Sequence, residues 1–82
     1  MAFYIIKLNA TEVPSFAIED ERSEDELAEA LVNNGFLKVQ PVEFFGGQEN
    51  RQISNSIERI LFLGFVVSIH KLDSSQWEIE RI

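Results

Sequence analysis

The sequence predicts a small two-layer α+β domain, with two helices packed on one face of a mostly antiparallel or mixed sheet of four to five strands. Three observations predict it. Residues 23–35 spell an amphipathic helix with both ends marked. Residues 3–8 and 65–72 are apolar runs rich in β-formers. Ile53, Ile57, Ile60 and Leu61 recur at the spacing of a second helical stripe. With 82 residues, the whole chain, 1–82, forms one α+β domain.

In the first strand, Phe3 and Ile5 point one way and Tyr4, Ile6 and Leu8 the other. Two apolar faces imply a central strand, or one whose second face a partner covers. Residues 9–14 form a turn, and 15–18 a short return strand that closes a hairpin. The first helix is predicted over 24–34. Ser23 and Glu26 fit a capping box, and Glu24, Asp25 and Glu26 place negative charge at the positive end of the helix dipole. Leu27, Ala30 and Leu31 make the apolar stripe, and Asn33-Asn34-Gly35 stops the helix, with Gly35 in the left-handed position.

A strand follows over 36–45. Pro41 inside it points to a sheet edge or a bulge. Gly46-Gly47 is a break without the spacing or the Lys-Ser/Thr of a phosphate loop. The second helix is predicted over 51–63, ending at Gly64. Two rival readings start it at Asn55, with Glu58 as capping partner, or make 57–63 a strand. Strands over 65–72 and 77–82 then flank Asp73-Ser74-Ser75 as a hairpin. The register that gives this hairpin an apolar side sets Ile69 against Ile79, Lys71 against Trp77, His70 against Glu78 and Ser68 against Glu80. The predicted core gathers Leu27, Leu31, Ile57, Leu61, Val67 and Ile69. A short echo links 31–36 with 60–65, both read as helix, glycine stop and Phe-led strand.

Fourteen acids oppose seven bases, for a net charge of −7. Seven of the acids crowd into positions 19–29, where Arg22 is the one base. Such a field opposes direct binding to a phosphate backbone and favours a protein partner with a basic surface. Glu19, Asp20, Glu21, Glu24, Asp25 and Glu29 are therefore candidate interaction residues. Phe44 joins them, because adjacent Phe44 and Phe45 must face opposite ways on a strand, leaving one for an interface. A core this small also favours self-association. The absence of cysteine excludes disulfides and thiol chemistry. The longest apolar run, 60–67, is too short for a membrane span, and the N-terminus lacks a basic stretch leading into a long apolar one. The expected setting is cytoplasmic, away from membranes.

Catalytic groups do not assemble along the chain. His70 and Ser68 share a strand face but stand roughly 7 Å apart, beyond hydrogen bonding. Glu78 and Glu80 read as a solvated strand face rather than a glycosidase pair. One histidine and no cysteine leave little for a transition metal. The acidic run lacks the Asp-x-Asp-x-Asp-Gly pattern of a calcium loop, and no cofactor motif is present. The expected function is a non-enzymatic interaction module or small accessory protein. An acidic decoy that occupies a nucleic-acid-binding protein is the alternative, as in mobile-element proteins. A small enzyme or enzyme subunit ranks third, because no nucleophile, base and orienting group can be put together.

Overall fold

Ser23 starts helix α1 (Glu24–Asn34) as its sequence dictates, in a computed structural model that describes residues 2–47, 50–73 and 78–81. The Glu26 amide donates to Ser23 Oγ at 3.2 Å, and the Ser23 amide donates to Glu26 Oε1 at 3.1 Å. Gly35 ends the helix at φ 77°, where its amide donates to Leu31 O. Leu27 and Leu31 are the buried stripe.

Among the described residues seven strands accompany this one helix: β1 (Ala2–Leu8), β2 (Ser15–Asp20), β3 (Phe36–Gly46), β4 (Asn50–Asn55), β5 (Arg59–Phe62), β6 (Val66–Leu72) and β7 (Glu78–Arg81). A 3₁₀ turn, Leu63–Phe65, joins β5 to β6. The sheet order is β6-β1-β2-β3-β4-β7, and β5 pairs with the first half of β3. All pairings are antiparallel except that of β4 with β7.

The two apolar faces of β1 find cover on both sides. Tyr4 and Ile6 pack with Ile18, Leu27, Leu31, Leu37, Val39 and Leu61 under the helix. Phe3 packs on the opposite face with Ala17, Val42 and Ile53. β1 is an interior strand, between β6 and β2, as its residue pattern requires. The return strand after it runs to Asp20.

The predicted pair of helices on a four- or five-stranded sheet is corrected to one helix and seven strands. The segment 51–63 is not helical. It is β4, a connection and β5. Its stripe is scattered: Ile53 is buried among the Phe3 cluster, Leu61 beneath the helix, and Ile57 is 84% exposed. Three of the four stripe residues are isoleucines, whose β-branch costs rotamer freedom in a helix and suits a pleated surface. Asn55 does not cap a helix either, since its Oδ1 accepts from Arg81 Nη1 at 2.6 Å. The segment echo is therefore unequal: Gly35 terminates a helix, while Gly64 lies within the 3₁₀ turn. The two copies do meet, with Phe36 opposite Phe62 and the Leu63 amide donating to Gly35 O at 3.0 Å.

The C-terminal hairpin is also corrected. β6 pairs with β1, placing His70 opposite Ile5 and Ile69 opposite Ile6. β7 pairs with β4 at the other end of the sheet, with Ile79 opposite Arg51. The predicted register weighed only the apolar side of two neighbouring strands. β1 needs a pairing partner on each edge, and β6 supplies the second. Trp77, Ser74 and Ser75 lie outside the described residues. Val67, predicted as core, is exposed, and Ile69 is half-buried against the helix-side cluster.

Pro41 lies within an inner strand, at an irregularity where residues 56–58 face Gln40 and Pro41. It pairs with Ile18 on one side, while on the other β5 covers 36–39 and β4 covers 42–46. Pro41 O accepts from the Ser56 amide at 2.9 Å. A strand residue presents its N and O on the same side, so the missing N–H of Pro41 falls in the gap between β4 and β5. Gln40 Nε2 stitches that gap by donating to Pro41 O at 3.0 Å and Ser56 O at 2.6 Å. A proline is tolerated here because no ladder bond is asked of it.

Removing the cap of the one helix has a clear expected cost. Ser23→Ala should destabilise the domain by about 1 kcal/mol, read as a lower urea midpoint at unchanged slope. Equal midpoints would mean that the cap contributes nothing.

Candidate functional site

The acidic segment divides into acids that brace the fold and acids that face solvent. At the end of β2, Glu19 accepts from Arg81 Nη2, tying β2 to β7. Asp20 Oδ1 accepts from the Arg22 amide and from Arg22 Nε, each at 2.9 Å, and its Oδ2 accepts from Arg22 Nη2 at 2.8 Å. This is an Asx turn locked by a two-pronged guanidinium–carboxylate pair. Arg22 Nη2 also reaches Lys38 O at 3.2 Å, and Tyr4 Oη donates to Arg22 O at 2.6 Å. The connection from sheet to helix is thus pinned on three sides.

Electrostatics follow from this geometry. The hydrogen bonds from the Arg22 side chain, with its charge, hold the Asp20 carboxyl below the usual carboxylate range against the opposing effect of burial. The same bonds raise the Arg22 pKa. Burial, then the charges of Asp20, Glu24 and Glu26, pushes the Tyr4 phenol up.

The other candidate acids remain outside. Glu21, Glu24, Asp25 and Glu29 are exposed, and among the described residues none forms an ion pair. Glu24 and Asp25 also stand at one end of a groove of about 370 Å³ between α1 and β6, lined by Leu31, Val32, Val66 and Val67.

Phe44 is the half-buried member of its pair. Its ring packs edge-on against Phe3, with centroids 5.5 Å apart, and the Arg51 guanidinium lies 5.6 Å from its centroid. Phe45, on the opposite face, is the exposed one.

His70 is exposed on β6, and the strand that carries Glu78 and Glu80 is at the far end of the sheet. The fold does not bring the three together. Among the described residues no group of three or more His, Asp or Glu side chains is placed to hold a metal ion. No helix of the described residues is long and apolar enough to cross a membrane.

Sequence reasoning missed a second surface. Phe36, Ile60, Phe62, Leu63, Phe65 and Val67 are all exposed. The signal was the apolar run 60–67 itself. A strand can bury alternate residues on one face, and a thin edge of the sheet cannot hide both. Comparisons with protein-family models, with curated proteins and with solved structures find no match to this chain.

Two outcomes are expected. Asp20 has a lowered folded pKa, so its contribution is complete above the unfolded value near 3.8 and is lost as pH falls through the folded one. Thermal unfolding from neutral pH into acid should show Asp20→Asn less stable than the parent at neutral pH, with the gap closing in acid. A gap independent of pH would contradict the Arg22 pairing. Millimolar calcium should leave the melting temperature of the parent protein unchanged beyond an ionic-strength effect. A rise that saturates at low calcium would reveal a metal site.

Proposed function

We propose that the protein is a non-enzymatic accessory protein that docks onto a partner with a basic surface. The observation that supports this is the split within the acidic segment. Glu19 and Asp20 have arginine partners within the chain, while Glu21, Glu24, Asp25 and Glu29 cluster unpaired around the helix start. Capping and helix-dipole stabilisation account for Glu24, Asp25 and Glu26. They do not account for Glu21, which precedes the cap, or for Glu29, which sits one turn beyond Asp25 and repels it. An exposed carboxylate field of this kind steers basic partners and weakens as salt screens it. A cysteine-free chain suits a cytoplasmic setting.

The test combines charge removal with salt. Immobilised parent protein should capture its partner from lysate at low salt and release it as salt rises. The variant Glu21→Gln/Glu24→Gln/Asp25→Asn/Glu29→Gln should fail to capture it at any salt, with its melting curve confirming the fold. Capture of the same partner by parent and variant alike would remove the acidic face from the mechanism. A captured nucleic-acid-binding protein whose nucleic acid is displaced would refine the partner class to the decoy type.

A further inference from the structure

We infer that the apolar belt formed by Phe36, Ile60, Phe62, Leu63, Phe65 and Val67 is a self-association surface, and that its occupant is a second copy of this chain. The inference concerns a different surface from the acidic face and does not rest on it. The belt is continuous along the backbone. It starts at the beginning of β3, crosses to β5 where Phe36 opposes Phe62, and follows the 3₁₀ turn, held by the Leu63–Gly35 hydrogen bond, into β6. Its exposure is high: Phe62 and Phe65 are each 57% exposed and Val67 66%. Scattered apolar residues on a surface are ordinary, but a contiguous set of large ones marks an interface.

The area matches what a dimer needs. A monomer of 9.4 kDa typically exposes about 5,000 Å², whereas this chain exposes 5587 Å². The surplus of roughly 600 Å² is comparable to the exposed area of the belt. Burying it on two copies removes on the order of 1,200 Å², the lower bound of a stable interface.

Charge also selects the occupant. The charged residues flanking the belt include Lys38 and Glu58, which pair at 3.5 Å and cancel. Arg59 turns away onto the Phe16 ring, 5.5 Å from its centroid. The acids at the start of α1 approach the belt only at its far end, where Glu24 and Asp25 line the groove that Val67 also lines. The Lys38–Glu58 end of the belt is therefore neutral and gives a basic partner no advantage there. Addition of a foreign strand to the β6 edge fits less well. The register between β1 and β6 slips at Lys7/Leu8, leaving Val67 as a bulge residue, and a bulge blunts an edge against pairing.

Sedimentation equilibrium on the purified chain, from micromolar to millimolar concentration, tests this. The parent mass should rise from one chain to two. Phe62→Asp and Phe65→Asp should each weaken association by about tenfold or more, with circular dichroism and melting as in the parent because both side chains face solvent. Lys38→Glu and Glu58→Lys provide a second pair, since each alone should weaken the dimer and an equimolar mixture should restore it as a mixed dimer. The charge-neutralised variant of the acidic face should dimerise at least as tightly as the parent, because Glu24 and Asp25 stand beside Val67. A parent that stays at one chain mass throughout overturns the inference, as does a dimer that persists in both aspartate variants. Neither result bears on salt-dependent capture by the acidic face.

Discussion

A sheet with apolar residues on both faces has to be covered twice, and the described residues hold one α-helix with which to do it. Everything else in the architecture answers that constraint. α1 covers Tyr4, Ile6 and Ile18 on one face. The other face is closed by the strands themselves, as Phe3 and Ala17 gather Val42 and Ile53 from β3 and β4. Burial of side chains such as Leu27, Ile6 and Ile53 stabilises by about 1.5–3 kcal/mol each. What the single helix does not reach is left at the end where β5 turns into β6.

Polar groups support this arrangement at its weak points rather than at its centre. No polar or charged residue is buried among the described ones. The Asp20–Arg22 pair fixes the exit of β2, Gln40 bridges the gap beside Pro41, and Arg81 links β7 to both β2 and β4. Each lies where a strand pairing ends. Acids that look like a binding motif in sequence are thus of two kinds, distinguished by whether they have a partner: Arg22, two residues on, for Asp20, and Arg81, remote in sequence, for Glu19.

Legibility in the sequence followed the range of the interactions. The helix over 24–34, its capping box and the αL glycine are set within a few residues, and they were readable from Ser23, Glu26 and Gly35 alone. β1, β3 and β6 were readable from their own apolar pattern. The second helix does not form: a spacing of i, i+4, i+7, i+8 also arises when two short strands contribute to opposite clusters, and the β-branched isoleucines of the stripe are the one local feature that favours strands. The pairing of β6 with β1 joins residues more than half the chain apart, and that of β7 with β4 joins residues about a third of the chain apart, so local turn logic selects the wrong neighbour. The same holds for the site. Glu19 looked free because Arg81 is remote in sequence, and Phe44 looked available because Phe3 and Arg51 come from other strands.

The pairing of Ile6 with Ile69 carries a kinetic consequence. Closing so long a loop early is entropically unfavourable, and topologies dominated by distant pairings fold slowly. The hairpin of β1 and β2 can form as soon as both have left the ribosome, yet one edge of its most apolar strand must wait for nearly the whole chain. During that interval the nascent protein presents an unpaired hydrophobic strand, the form of intermediate most prone to aggregate. The order in which the strands occur in the gene makes the time between synthesis and closure the vulnerable period of this protein's life.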